Sequence, residues 1–217
     1  MATSTSNSQI LSIYKSRTTI LELLEKQEYQ ISGYDNFNLN EIDAMYKNSQ
    51  LDMLVNRTNK NTNEIENIYV KYYLEKKQLR LNILNDIIED LFTGDSTTTL
   101  TKKDTLIIIV DNEPNETIIS NIEYKYENEG IFVILFNIKR LQFNILNHSL
   151  VPPIKILSKD ESEVFMQEYN IQNLSELPEI SRFDPQAQAI FMRPQQICEI
   201  ERSSVTALLY KYYRVCV

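Results

Sequence analysis

Thr105-Leu-Ile-Ile-Ile-Val110 decides the fold of this chain. Five of its six residues are β-branched, and none offers an alternating polar position that could face water. Such a run reads as a strand buried on both faces, and therefore as a central strand of a parallel arrangement. Downstream, Asp111–Asn115 reads as a turn, Glu116–Tyr126 as a helix and Ile131–Phe136 as a second apolar strand. Upstream, Leu81, Leu84, Ile87, Ile88 and Leu91 recur at helical spacing within 77–92, and Thr93–Lys103 reads as a polar loop. Strands are expected at Gln50–Val55 and Ile68–Leu74, joined by the Asn/Thr/Lys-rich stretch Asn56–Asn63. Behind a polar start, Ile10, Ile13, Tyr14, Ile20, Leu21 and Leu24 place an amphipathic helix over 9–28. A short helix follows at Asn40–Lys47, with Asn40 as its cap. Strands alternating with helices predict an α/β layer.

The texture changes at His148–Pro153. Pro152-Pro153 disfavours a helix and predicts an extended connection. From His148 to the end there is no glycine. Ile154–Leu157 reads as a strand, and Ser158-Lys-Asp-Glu161 has the form of a capping box opening a helix to about Tyr169. Leu177–Asp184 reads as irregular, Asp184–Phe191 as a short helix with Pro185 in its first turn, and Gln196–Arg202 and Leu208–Cys216 as two final strands. The expected organisation is an α/β domain over 1–147 and a small α+β domain over 148–217. In the last strand, Leu208, Tyr210, Tyr212, Arg214 and Cys216 alternate with Leu209, Lys211, Tyr213, Val215 and Val217. Both sets are largely apolar, so one face is expected to need cover from another chain.

Composition removes several function classes. Three glycines (Gly33, Gly94, Gly130) cannot build a dinucleotide fingerprint or a phosphate loop. One histidine and two cysteines are too few for a Cys/His zinc site. With 22 basic and 30 acidic residues, the net charge of −8 disfavours autonomous nucleic-acid binding. Unpaired Cys198 and Cys216 fit a reducing compartment and read as small buried apolar groups. No secretory leader is expected from MATSTSNSQ, and no apolar run approaches a membrane span. Abundant Asn, Ile, Lys and Tyr with no Trp read as an AT-rich source.

Catalytic motifs are weak. Asp111 after the apolar strand has no phosphate loop to serve and reads as a strand-end cap. His148-Ser149 are adjacent on an extended chain, so their side chains diverge. Asp52 and Lys71 fall where restriction-type nucleases place an acid and a lysine. The residue two before Lys71 is Tyr69, however, a poor ligand for a hard cation. No catalytic residue, metal ligand or cofactor is expected.

From His148 onward the sequence resembles the fifth subunit of eukaryotic nuclear RNA polymerases, a family whose archaeal form lacks the amino-terminal domain. His148-Ser-Leu-Val-Pro152 resembles the family's His-x-Leu-Val-Pro opening motif. The match continues through Leu177-Pro178, Asp184-Pro185-x-Ala187, Ile197, Ile200, Arg202-x-Ser204 and Tyr213-Arg214-Val215. Upstream, Arg17-x-Thr-Ile20 and Tyr29 resemble the family's first helix, and Phe136–His148 matches the approach to the motif without a gap. Departures fall at Ile154 for a second histidine and at Gln195 and Leu208 for glycines. Glu113-Pro114-Asn115-Glu116 stands for a Thr-Pro-Ser-Ala loop, and its acids would repel phosphates.

The resemblance implies an amino-terminal α/β jaw with a restriction-endonuclease-like layout and a carboxy-terminal assembly domain docking on the largest polymerase subunit. The partner-binding residues implied are His148, Leu150, Val151, Pro152, Asp184, Pro185, Arg193, Ile197, Ile200, Arg202, Ser204, Tyr213 and Arg214. The implied function is a non-catalytic polymerase subunit near downstream duplex DNA, which it would touch weakly and only within the complex. The implied location is the nucleus in a cell, or a replication site or virion if the AT-rich source is a large DNA virus. The rival readings are a degenerate nuclease and a free-standing adaptor.

Overall fold

The structure is a computed structural model describing residues 2–58, 64–75, 78–93, 100–204 and 206–217, the side chains of 2–6 excepted. The chain forms two compact units, 1–143 and 144–217. In the first, α1 (Ala2–Lys26) and α2 (Leu39–Lys47) precede β1 (Met53–Thr58), β2 (Ile65–Tyr73), α3 (Leu81–Phe92), β3 (Thr105–Val110), α4 (Glu116–Glu129) and β4 (Phe132–Asn137). The sheet order is β1-β2-β3-β4, with β1 antiparallel to β2 and the other pairs parallel. Every residue of β3 is buried, as expected of a strand with no polar alternation.

The two-residue period sorts this sheet into two apolar faces. Leu106, Ile108, Val110, Val133 and Leu135 pack against Leu84, Ile87, Ile88 and Leu91 of α3 and Ile118 and Ile122 of α4. The opposite face carries Met53, Val55, Ile68, Val70, Ile107, Ile109, Ile134 and Phe136, all buried. On that side Tyr72 meets Ser16 and Arg17 of α1. Arg17 is 2% exposed. Its Nη1 donates to the Leu51 carbonyl at 2.9 Å, and its guanidinium faces the rings of Phe37 (5.4 Å) and Tyr34 (5.9 Å). Burial lowers its pKa, while the neighbouring tyrosines oppose that shift.

The second unit holds β5 (Ile154–Ile156), α5 (Lys159–Glu168), β6 (Glu179–Ile180), α6 (Pro185–Ala189), β7 (Ile197–Arg202) and β8 (Tyr210–Cys216). Its sheet order is β5-β7-β8-β6, with β7–β8 an antiparallel hairpin and β6 parallel to β8. The Ser158–Glu161 capping box opens α5 as its sequence predicts.

Several expectations need correction. The polar start is helical, so α1 begins at Ala2 rather than near residue 9. Asn38, not Asn40, caps α2, through a reciprocal box with Glu41. The first strand begins at Met53 and runs on to Thr58, into the stretch expected to be a connection. The rest of that connection, 59–63, lies outside the described residues, as do 94–99 of the expected polar loop. The irregular stretch Leu177–Asp184 contains β6, a strand too short to show periodicity. In the last hairpin both faces contribute to cores within the unit, while Tyr210 near the tip is 40% exposed. Cys198, Ile200, Cys216 and Tyr212 pack with Ile180, Ala187, Ile190 and Met192, while Ile197, Val215 and Tyr213 pack with Phe165 and Leu177. Its tip stays open, with Leu208 93% and Leu209 69% exposed.

The missing glycines are replaced in two ways. Gln195 itself takes the left-handed conformation (φ +70°), its N–H donating to the Cys216 carbonyl at 2.9 Å. At the hairpin tip the Ser204 hydroxyl accepts from the N–H groups of Thr206 (3.3 Å) and Ala207 (2.8 Å), closing the turn without a glycine.

Two substitutions test this description. Asp104, 1% exposed, accepts bonds from Asn67 N, Asn67 Nδ2, Thr101 N and Thr101 Oγ1, at 2.7–3.1 Å. Asp104→Ala orphans these donors and should cost about 3 kcal/mol, read from the urea midpoint. Gln195→Gly should instead stabilise the protein by about 1 kcal/mol, by removing a left-handed non-glycine residue.

Candidate functional site

The thirteen residues singled out from the sequence separate into three groups by environment. His148, Leu150, Val151 and Pro152 lie in a surface turn closed by Val151 N–H donating to the His148 carbonyl at 2.9 Å. His148 Nδ1 accepts from Leu150 N–H at 3.2 Å, which holds the ring back along the chain. Leu150 is thereby left 85% exposed.

The second group lies along the hairpin. Arg202 ends β7 opposite Tyr210 of β8, and Arg214 lies opposite Cys198. Both guanidinium groups face the Tyr212 ring, at 5.3 and 5.2 Å, giving two cations around one aromatic on the same sheet face. Arg214 Nη1 also donates to the Glu179 carbonyl at 3.1 Å, tying β8 to the edge strand β6. Its Nε is buried without a hydrogen-bond partner among the described residues. Tyr213 points to the other face, where its hydroxyl donates to Glu199 at 2.9 Å.

The third group builds the unit itself. Ile197 and Ile200 are 1% and 2% exposed, inside its two cores. Asp184 caps α6 by accepting from Gln186 N–H at 2.8 Å, and Pro185 fills the first helical position. Arg193 N–H donates to Gln196 Oε1 at 2.7 Å just before β7, and Ser204 closes the hairpin tip. A residue pattern that marks a family mixes scaffold with surface in this way, and only burial separates them.

In the first unit, Asp52 and Lys71 do meet, with Lys71 Nζ 3.4 Å from the carboxylate. Asp52 sits one residue before β1 rather than on it. Its oxygens also accept from the Tyr69 hydroxyl at 3.1 Å and from Tyr72 N–H at 3.0 Å. Tyr69 therefore takes the carboxylate as a hydrogen-bond acceptor where a nuclease would need a second acid. Burial and the Asp52 charge push the Tyr69 phenol up to about 12.

Against known proteins, the model of the RNA polymerase Rpb5 C-terminal domain matches residues 143–216. The DNA-directed RNA polymerase subunit Rpo5 of Thermococcus kodakarensis is 43% identical over 76 residues, 35% of this chain and 92% of the relative. The chain belongs to the fifth-subunit family of DNA-directed RNA polymerases. Another member, Rpo5 of Archaeoglobus fulgidus, is 36% identical over 77 residues, 36% of this chain, and is covered along its whole length. The DNA-directed RNA polymerase subunit 5-like protein 1 of Arabidopsis thaliana is 24% identical over 215 residues, 96% of this chain and 97% of the relative. That match runs through the amino-terminal unit as well. Family membership makes this chain a non-catalytic subunit whose partner is the polymerase core.

Sequence reading missed Phe165 and Tyr169, which flank Tyr213. Their i, i+4 spacing on a capped helix was the available signal.

Thiols of the second unit and phenols of both units set an alkaline limit. Burial pushes the thiols of Cys198 and Cys216 up to about 11 and about 12, and burial also pushes Tyr69, Tyr72 and Tyr213 up to about 12. All five are neutral when protonated, and their folded-state values exceed the unfolded ones. Their contribution to stability is therefore full below about pH 9 and is lost as pH rises from about 9 to about 12. Chemical unfolding across that range should show a falling midpoint. Both thiols should stay unreactive to a thiol reagent at about pH 8 until the protein unfolds.

Proposed function

We propose that residues 144–217 dock this chain on the largest subunit of its RNA polymerase. On this reading the amino-terminal unit forms part of the lower jaw beside downstream DNA. The observation that carries the division is the extent of the archaeal relatives. Stretches of 76 and 77 residues cover 92% and 100% of them, so a unit of this size is a whole polymerase subunit in those organisms. Exposed Leu150 and the Arg202–Tyr212–Arg214 cluster supply an apolar and a cationic anchor for that docking.

The jaw reading is supported by the architecture of the first unit. A four-stranded mixed sheet with helices on both faces, and an Asp52–Lys71 contact at its edge, are what a restriction-endonuclease-like layout without its metal chemistry would show. Residues 1–147 carry 15 basic and 21 acidic side chains, a net of −6. At the candidate DNA-side loop, Glu113 is already paired with Arg140 at 3.3 Å. Attraction of duplex by this unit alone is therefore weak, and its place beside DNA comes from assembly. The protein would act where its polymerase acts, in a nucleus or at a viral replication site.

Copurification through another polymerase subunit tests the division. A fragment of 144–217 should be retained and one of 1–143 should not. In the full chain, Leu150→Asp and Arg214→Glu should each lower incorporation about tenfold, with Leu150→Asp leaving the unfolding midpoint unchanged. Retention of the amino-terminal fragment instead would reverse the assignment. The free protein should bind duplex DNA only weakly at physiological salt, read by fluorescence anisotropy. It should leave DNA intact in magnesium, and cleavage abolished by Asp52→Ala would restore the nuclease reading.

A further inference from the structure

Helix α5 ends on an electrostatic mismatch. Its last turn has no basic residue, and it carries Glu168 at the negative end of the helix dipole. Glu168 has no ion pair among the described residues. Next to it, the rings of Phe165, Tyr169 and Tyr213 form one cluster, with centroids 4.1 Å apart for Phe165–Tyr213, 4.9 Å for Phe165–Tyr169 and 6.0 Å for Tyr169–Tyr213. Phe165 and Tyr213 of this cluster line an open groove of about 420 Å³ between α5 and the sheet, with Leu157, Val164 and Glu168 also in its lining and Tyr169 flanking it through its contacts with both rings. Val164 in the lining is 62% exposed, and Tyr169 beside the groove is 57% exposed, so apolar surface there is uncovered.

The charges of the groove do not cancel. Lys155 is taken by Glu161 at 2.6 Å and Lys211 by Glu199 at 3.0 Å. Asp160 and Glu168 remain. Asp160 sits in the first turn of α5, where the helix dipole favours an acid, whereas Glu168 sits where it does not. The Tyr213 phenol registers this field. It is pushed up to about 12 by burial first, and then by Glu199, Tyr169 and Glu168.

We propose that this groove receives an apolar, basic segment of another polypeptide, whose Lys or Arg side chain seats on Glu168 against the Tyr169 ring. Charge complementarity selects the occupant. A cation there neutralises the carboxylate and the helix end together and gains a ring face, while apolar neighbours cover Val164. Nucleic acid and acidic peptides meet the surplus carboxylates and are repelled. The site is distinct from the Arg202–Tyr212–Arg214 cluster, which lies on the opposite face of the same sheet.

The probes are two short amphipathic peptides, one of Leu and Arg and the other with Glu at every Arg position, titrated against the purified full chain. The Leu/Arg peptide should bind at least about tenfold more tightly, with affinity falling as salt rises. Glu168→Lys should abolish that preference, and Val164→Glu should weaken binding of the Leu/Arg peptide through its apolar contact. Far-ultraviolet circular dichroism of both variants should match the parent, since both positions face solvent. Equal binding of the two peptides, binding of neither, or a preference that survives Glu168→Lys overturns the proposal. These measurements use no other polymerase subunit, so their failure leaves the assembly reading untouched. In the assembled polymerase, a photo-cross-linker at position 164 should attach to a segment containing Lys or Arg. A cross-linked segment lacking both overturns the proposal.

Discussion

β3 has no polar face, and the rest of the amino-terminal unit follows from that. A six-residue strand with every side chain buried needs apolar cover above and below, and a hydrogen-bonded neighbour on each edge. β2 and β4 supply the edges, while α3 and α4 supply one face. The other face meets α1, and there the unit accepts a cost in burying Arg17. A guanidinium in a core is tolerable only where π faces and a carbonyl replace water. Phe37, Tyr34 and the Leu51 carbonyl fill those roles in part, and Nε and Nη2 stay without a hydrogen-bond partner among the described residues. Arg17 thus couples α1 to the segment before β1, two stretches 34 residues apart in sequence.

In the carboxy-terminal unit the corresponding constraint is the β7–β8 hairpin. Its two apolar faces require two separate small cores, one under α6 and one under α5. A three-residue strand, a two-residue strand and two short helices suffice because each core is only a few side chains deep. Apolar surface exceeds what this chain can cover at the hairpin tip, at the turn holding Leu150 and in the groove beside α5.

Much of this was legible in the sequence, where a local signal and the tertiary outcome agreed. The run Thr105–Val110 announced a doubly buried strand, and Ser158–Glu161 announced a helix start, because both are decided within a few residues. β6 was not legible, since two residues cannot display a period. The cap of α2 was displaced by two residues because an Asn occurs at both 38 and 40, and only the reciprocal bond to Glu41 chooses between them. The site was harder still. The family pattern includes Ile197 and Ile200 alongside Leu150 without distinguishing scaffold from surface. For the last hairpin, sequence alternation reports that both faces are apolar, and only the fold shows that α5 and α6 cover its inner end while its tip stays exposed.

The absence of glycine after residue 148 has a thermodynamic consequence. A chain without glycine explores fewer backbone states when unfolded, so each residue loses less entropy on folding. Against this, Asn170, Phe191 and Gln195 must be held at positive φ by their surroundings, each at a cost of about 1 kcal/mol. Loops built in this way lack the extra backbone states that glycine supplies. Such loops offer no easy hinge, and a surface assembled from them has little freedom left to surrender on contact. Association would then proceed by matching a shape that already exists, and selectivity among partners would come from what that shape refuses.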